Sequence, residues 1–189
     1  MSGERSSVTT SQSSDSGQRS SDLRNAIRTE CERLEEDALY SARGHFEAAR
    51  SWGRVHLGVG VPTAVLAALA SVSAFNALPE VAGALSILVA ALSAVSTFLN
   101  PSEKAQTFHQ AGTAFNSVRS RARILREITS LTARSDDDLA ALVDALTAEK
   151  DELNQSSPLI PRPAFERARK GIEAGEASYR ADAGAKLLR

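Results

Sequence analysis

Formal charge is almost absent from the middle of this chain. The 189 residues include 22 Lys or Arg and 23 Asp or Glu, yet between Arg54 and Glu103 the only charged residue is Glu80. Cysteine is equally scarce: Cys31 stands alone, so it cannot form a disulfide within the chain, and it lacks metal-site spacing. The net charge of −1 gives no reason to expect nucleic acid as a partner.

The chain also lacks the motifs of common catalytic and cofactor sites. His45, His56 and His109 are far apart, and none has a Ser/Asp or Cys partner at a spacing that favours nucleophilic catalysis. No glycine-rich phosphate loop is present. We therefore predict no catalytic residues, no cofactor, no metal ligands and no enzymatic activity.

We also predict no secretory signal peptide, because residues 1–21 are rich in Ser and Gly and the apolar run starts far too late. Residues 1–21 contain too little apolar surface to fold, so we predict a disordered Ser-rich tail.

Two long apolar runs occupy the uncharged stretch. Residues 55–78 and 81–99 are separated at Leu78-Pro79-Glu80, and each has about the roughly 20 residues that a helix needs to cross a bilayer. They predict a two-transmembrane helical hairpin. The alternative, a buried hairpin of a soluble bundle, lacks enough apolar partners, and Pro62 would cost such a soluble helix about 3 kcal/mol.

The polar segments on either side of the hairpin predict helices with narrow apolar stripes. Residues 22–54 and 103–133 have matched lengths, so we expect an antiparallel cytoplasmic helical stalk that continues the hairpin. The stripe of the first helix comprises Leu23, Ile27, Cys31, Leu34, Ala38, Ala42, Phe46 and Ala49. That of the second comprises Phe108, Ala111, Phe115, Val118, Ala122 and Leu125.

Further helices are predicted in the C-terminal part. Ser135 followed by three Asp residues indicates the start of a helix over 136–154, whose apolar face includes Leu139, Leu142, Val143, Leu146 and Leu153. A Pro-rich linker follows at 156–163, and a C-terminal helix at 164–188 carries Phe165, Ala168, Ile172 and Tyr179. The predicted fold class is thus an all-α membrane protein.

Basic residues predict the orientation in the membrane. Arg43, Arg50 and Arg54 precede the first span, and Lys104, Arg119 and Arg121 follow the second, whereas the connecting turn has no Lys or Arg. Both termini of this multi-pass membrane protein should therefore be cytoplasmic.

Each predicted span carries a face of small or polar side chains. On the first, the candidate helix-packing residues are Gly60, Ala64, Ala67, Ser71 and Ala74. On the second, the candidate pore-lining residues are Ser86, Ser93, Thr97 and Asn100. These faces either pack the hairpin against itself or a copy, or line a pore in an oligomer, since one hairpin cannot enclose an aqueous path.

Two other features have alternative interpretations. Gly58, Gly60 and Pro62 form a candidate hinge, although membrane helices ordinarily tolerate Gly and Pro. His109 is a candidate pH- or ligand-responsive switch, with an interfacial or packing role as the alternative.

Short motifs next to the spans resemble a known family. The exit reads Phe98-Leu99-Asn100-Pro101-Ser102-Glu103-Lys104-Ala105, followed by His109, Ala111, Phe115 and Arg119, and the approach reads His45-Phe46-Glu47-Ala48-Ala49-Arg50-Ser51-Trp52. From about Leu23 to Leu153 the chain resembles the bacterial SLATT family, two-transmembrane effectors that associate with nucleotide-second-messenger synthases and SLOG sensors. Phe115 stands where Tyr is expected, which weakens any role for a hydroxyl there.

The resemblance implies an effector of a bacterial conflict or anti-phage system. A nucleotide-signal synthase or sensor protein would trigger it to form a homo-oligomer and permeabilise the membrane. The alternative is a non-conducting membrane anchor or scaffold whose stalk recruits a cytoplasmic partner. The family supplies no catalytic residues to carry over.

Overall fold

The computed structural model is all-helical over the residues it describes, 6–76, 78–132 and 135–177, with side chains described from residue 18 onward. The helices are α1 (Ser6–Phe75), α2 (Pro79–Leu99), α3 (Pro101–Ile124), a π-helical turn (Leu125–Thr129), α4 (Ser130–Thr132), α5 (Asp136–Ser156) and α6 (Arg162–Glu173). Two helical stretches, Gln18–Phe75 and Pro79–Thr132, are long and apolar enough to cross a membrane. The prediction of an all-helical chain with two helices that could span a membrane is therefore confirmed.

Helix α1 begins much earlier than the sequence indicated. Residues 6–21 were expected to be disordered, but they are helical in the structure, and residues 1–5 lie outside the described residues. Near the end of this segment the Ser20 hydroxyl donates to Asp136 Oδ2 at 2.5 Å, and just beyond it Arg24 Nε donates to Asp136 Oδ1 at 2.7 Å. Extending an existing helix adds one hydrogen bond for each residue fixed, so a polar segment can continue it.

Two short breaks separate the first three helices. Helix α1 ends at Phe75, the backbone N–H of Leu78 donates to the Ser73 carbonyl at 3.0 Å, and Pro79 starts α2. Asn100 ends α2 in the left-handed conformation, with φ 41°, and its N–H donates to the Ser96 carbonyl. Asn tolerates this conformation better than most residues, and the following proline favours the start of a new helix.

The chain divides into two compact units. The first contains residues 1–42 and 113–157. Its core brings together α1, α3, the π-helical turn and α5, through Ile27, Cys31, Leu34, Ala38, Val118, Ala122, Leu125, Leu139, Val143 and Leu146. The predicted stripes of α1 and α3 thus face inward here, but α5 shares their core. The sequence had indicated only a two-helix arrangement of these stripes.

The π-helical turn interrupts the helix that was expected to run unbroken over 103–133. Its Leu125 is buried in the core of the first unit, and Arg126 Nη2 lies 3.2 Å from Glu35 Oε2. The Ser130 hydroxyl donates to the Arg126 carbonyl at 2.5 Å, which satisfies a backbone acceptor within the widened turn.

Helix α5 starts as predicted. Ser135 is its N-cap, and the Ser135 hydroxyl accepts from the backbone N–H of Asp138 at 3.1 Å. Leu139, Val143 and Leu146 are buried, while Leu142 is 47% exposed. One of the five predicted apolar positions therefore lies at the surface.

The second unit contains residues 43–112 and 158–189. Its buried cluster consists of Ala48, Phe108 and Ala164, with Ala49, Trp52 and Ile160 packed against it. Helix α6 therefore packs beside the polar ends of the two apolar segments, which the sequence did not indicate.

Helix α6 is shorter than the predicted 164–188. It begins at Arg162 and ends at Glu173, because Gly175 adopts a φ of 86° and the Glu176 N–H turns back to the Gly171 carbonyl at 3.0 Å. Phe165 is 39% exposed, whereas Ala164 and Ala168 are buried. Residues 174–177 form a turn, and Tyr179 with the remainder of the predicted helix, from residue 178 onward, lies outside the described residues.

Candidate functional site: the apolar segments and their flanking cluster

The predicted helix-packing face of α1 is mostly uncovered. Ala67 is half-buried, but Gly60, Ala64, Ser71 and Ala74 are exposed. A Cβ built on Gly60 would meet no atom within 4 Å. Within one chain this face therefore does not form the tight helix contact, and its packing against a second copy stays a prediction.

Another face of α1 is covered instead. Its partly or fully buried positions are Val59, Thr63, Leu66, Ala67, Ala70 and Ser73, spaced mostly by three and four residues. On α2 the half-buried positions, Ala82, Leu85, Val89, Leu92 and Ser96, step by 3, 4, 3 and 4. This spacing is typical of one helix packing along another.

The four candidate pore-lining residues are all exposed. The Ser86 hydroxyl donates to the Ala82 carbonyl at 2.8 Å, and the Thr97 hydroxyl donates to the Ser93 carbonyl at 2.9 Å. Such bonds satisfy the hydroxyl donors inside an apolar medium and leave the oxygen lone pairs open to another partner. The side-chain amide of Asn100 donates to Glu103.

The candidate hinge lies within an unbroken helix. Gly58, Gly60 and Pro62 are all part of α1, and a Cβ on Gly58 would also meet no atom within 4 Å. Pro62 removes one backbone donor, while the Thr63 hydroxyl gives the Val59 carbonyl a donor at 2.7 Å. Bending at these residues stays a prediction.

The candidate switch His109 is exposed at the surface of α3. Its ring lies 5.5 Å from the ring of Phe46, at an interplanar angle of 53°. The more enclosed histidine is His45, which is 3% exposed. Its Nε2 atom lies 3.2 Å from the Pro158 carbonyl oxygen, and its ring lies 6.0 Å from that of Phe108.

Sequence reasoning missed His45 because the segment that covers it comes from far along the chain. Ile160 packs against the same stretch of α1, and a Cβ on Gly44 would lie 2.8 Å from Ile160 Cδ1. The sequence signal that could have identified this contact is the pair Gly44-His45 within an otherwise ordinary helix. A glycine there allows another segment to come close.

Charged and aromatic groups surround the base of the apolar segments. Lys104 Nζ lies 4.5 Å above the centre of the Trp52 ring, a cation–π contact. Arg167 of α6 donates to Ser51 at 2.7 Å and to Glu47 at 3.4 Å. These contacts fix α6 against the last turns of α1 before the first apolar segment.

The first unit holds the groups with shifted pKa values. A hydrogen bond from Ser20 and then one from Arg24 lower the pKa of the Asp136 carboxyl. Burial raises the pKa of the Cys31 thiol, which makes it a poor nucleophile. Burial alone would lower the pKa of Arg126, but the hydrogen bond to Glu127 and the charges of Glu35, Glu127 and Glu32 outweigh it and raise the pKa.

A surface groove also lies in the first unit. It has a volume of about 280 Å³, and it is lined by Arg121, Ile124, Leu125, Thr129, Leu142, Ala145, Leu146 and Glu149. Arg121 pairs with Glu149 at its edge. Among the residues that the structure describes, no three His, Cys, Asp or Glu side chains are grouped to hold a metal.

Comparison with protein-family models, curated proteins and solved structures gives no match to this chain. The resemblance to the SLATT family, and the function that it implies, therefore stay predictions.

Proposed function

We propose that this protein is a two-span membrane effector that oligomerises and permeabilises the bacterial inner membrane when a nucleotide signal or a partner sensor triggers it. The observation that carries the proposal is the exposed apolar surface of α1 and α2. In the most apolar window of each helical stretch, only 6% and 0% of the residues are buried. A core helix of a soluble protein would be mostly buried.

The amount of exposed surface supports a lipid environment. Fourteen large apolar side chains between Val55 and Leu99 are exposed, including Leu57 at 62%, Val61 at 58% and Ile87 at 71%. At about 1.5–3 kcal/mol for each fully exposed side chain, and about half of that for partial exposure, their hydration would cost on the order of 10–20 kcal/mol. The total stability of a domain is only about 5–15 kcal/mol.

Contacts at both ends support a hairpin. At one end, Trp52 of α1 contacts Lys104 of α3, and at the other only a short turn joins Phe75 to Pro79. Two helices held together at both ends run antiparallel, and their covered faces then contact each other. The basic residues Arg50, Arg54 and Lys104 lie on the side of the termini, so the positive-inside rule makes that side cytoplasmic.

Oligomerisation follows from what a single hairpin cannot do. Two helices cannot enclose a water-filled path, so conduction requires several copies. The uncovered small face of α1 permits close approach of another helix, and the hydroxyl groups of α2 suit a path that holds water. No ring of like charges marks the spans, which favours a weakly selective pore.

The test is a membrane-potential measurement in cells that express the protein with its neighbouring genes, using a potential-sensitive dye. We expect depolarisation by the native chain and loss of depolarisation when Ser86 and Ser93 are both replaced by Leu. The matched control is Ala91→Leu, which adds the same side chain on the opposite face of α2. Depolarisation that never occurs under any trigger, or that survives the double substitution, would contradict the pore.

One observation favours a second candidate, a non-conducting scaffold that recruits a cytoplasmic partner. The groove of the first unit has exposed apolar side chains at its edge, with Ile124 at 45% and Leu142 at 47%. For this function, Leu142→Asp should abolish partner recruitment, whereas the Ser86 and Ser93 substitutions should have no effect. Co-purification from detergent-solubilised membranes measures the recruitment.

A further inference from the structure

Some of the polar and small side chains of the two apolar segments line up on one exposed face of each helix, whereas Thr63, Ser73 and Ser96 lie on the covered faces. On α1, His56, Gly60, Ala64 and Ser71 follow one another at spacings of four, four and seven residues, which keeps them on one face of the helix. On α2, the same holds for Ser86, Ser93, Thr97 and Asn100. All eight residues are exposed in the structure.

The rotation of the helices brings these two faces to the same side of the hairpin. Viewed along the axis of each helix from its N-terminus, the polar face is rotated by about a quarter turn from the covered face, in the sense in which the helix winds. In two antiparallel helices that pack through their covered faces, the same rotation in the chain direction leads to the same side. We call this side, formed by the eight residues above, the polar side.

Large apolar side chains occupy the remaining surface of the hairpin. On α1 these are Leu57, Val61, Val65, Leu69 and Val72, and on α2 they are Ile87, Leu88, Val95 and Phe98, all of them exposed. The hairpin is therefore two-sided: one surface suits lipid chains, and the other combines small side chains with hydroxyl, amide and imidazole groups.

His56 gives a second and independent indication that the polar side does not face lipid. Ionisable residues within membrane spans face the interior of a bundle or a water-filled cavity, because lipid does not solvate them. Trp52 contacts Lys104, so these two residues lie at the same depth. His56 is one helical turn after Trp52, and Asn100 is about one turn before Lys104. Because the two segments run antiparallel, His56 and Asn100 also lie at the same depth. The two most polar groups of this side thus lie together at its cytoplasmic end.

We propose that the polar side is the surface through which the hairpin associates with further copies of this chain, and that His56 and Asn100 of each copy surround its cytoplasmic opening. This inference rests on the proposed membrane hairpin. The occupant is a second copy because the polar side carries no Lys, Arg, Asp or Glu side chain, so it offers a charged partner no counter-ion. The small side chains of α1 let the next copy approach closely, and the hydroxyl face of α2 on the same side then lies along the path between the copies.

Disulfide cross-linking in membranes tests the proposal. Single cysteines are introduced by Ala64→Cys and Ser93→Cys on the polar side, in a chain that carries Cys31→Ala. Val65→Cys and Ala91→Cys are matched controls at nearly the same depth on the opposite surface, where Val65 is 54% exposed. Membrane vesicles are oxidised with copper phenanthroline, and dimers are quantified on non-reducing gels.

We expect at least a fivefold larger dimer fraction from the two polar-side cysteines than from the two controls. Equal dimer fractions at all four positions, a larger fraction from the controls, or no dimer from any of them would overturn the proposal. Depolarisation is measured in the same cells. Depolarisation without side-selective cross-linking contradicts the polar side alone, whereas side-selective cross-linking without depolarisation supports the polar side and contradicts the pore.

Discussion

The close approach of Ile160 to Gly44 allows a quantitative test of how the second unit is held together. A Cβ at Gly44 would lie 2.8 Å from Ile160 Cδ1 and 3.2 Å from Ile160 Cγ2, whereas a Cβ at Gly53 would meet nothing within 4 Å. Both glycines lie in α1. Replacement by Ala therefore changes helix propensity in the same way at both positions and adds a steric contact at only one.

The magnitudes follow from these two effects. Gly53→Ala should stabilise the protein by about 0.5–1 kcal/mol, because Ala loses less conformational freedom than Gly in a helix. Gly44→Ala gains the same amount but forces Ile160 to move, and overpacking typically costs about 1–3 kcal/mol. Rotation of the Ile160 end group relieves the contact with Cδ1 but not that with Cγ2. We expect Gly44→Ala to be less stable than Gly53→Ala by about 1–3 kcal/mol.

The assay is urea unfolding of the full chain in mild detergent micelles, followed by the fluorescence of Trp52, which is the only tryptophan and packs against this cluster. Ile160→Val removes Cδ1 and alone should cost about 0.5–1.5 kcal/mol. Combined with Gly44→Ala it should cost less than the sum of the two single changes. Equal stabilisation by Gly44→Ala and Gly53→Ala would refute the contact.

Three further predictions concern the first unit. Replacing Leu34, which is 1% exposed in the core, by Ala should lower the free energy of unfolding by about 2–5 kcal/mol. Leu23→Ala, at a position that is 40% exposed, should lower it clearly less. Urea unfolding followed by circular dichroism measures both. The native pKa of Asp136 is lowered, so its contribution to stability is present above the unfolded pKa of about 4 and is lost as the pH falls through the native pKa. Asp136→Asn should therefore reduce the loss of stability at acid pH in a stability–pH profile. An unchanged loss at acid pH would contradict this. Arg126→Met should cost about 1–3 kcal/mol, because it removes the cation 3.2 Å from half-buried Glu35, and adding Glu35→Gln should recover most of the loss in a double-mutant cycle.

Patterns of local spacing predicted the helices well. All six positions of the α3 stripe, from Phe108 to Leu125, are buried, because a 3–4 spacing keeps side chains on one face whatever covers that face. The N-cap Ser135 was also predictable, since a hydroxyl that accepts from an N–H three residues later is a local interaction.

Features that depend on distant residues could not be predicted in this way. The π-helical turn places Arg126 against Glu35, and no local pattern indicates that ion pair. His45 is buried by a segment that starts at Pro158, more than one hundred residues later. On α1 the buried positions in the turns that follow Ala42 include His45 and Ala48, although the stripe pointed to Phe46 and Ala49, because a different segment packs there.

The candidate site was predictable in composition but not in geometry. The sequence located the small face of α1 and the hydroxyl face of α2, yet it could not tell which face of each helix the other one covers. The covered positions answer that question: half-buried Thr63 and buried Ala70 on α1, and half-buried Leu85 and Val89 on α2. On α2 the contact is formed by large side chains such as Leu85, whereas on α1 it includes small ones such as Ala70.

The limits of the exposed apolar surface give the strongest argument for a bilayer. On α1, the dense series of exposed large apolar side chains begins at Val55, well after the isolated Leu23, and ends at Phe75, a length of about 30 Å at 1.5 Å per residue. This equals the thickness of a typical hydrocarbon core. Directly before it come Arg54 and the contact between Trp52 and Lys104, groups that favour the interface between lipid and water. A protein partner that covered this surface would impose no such length, whereas a bilayer requires it and places the polar groups at its boundary.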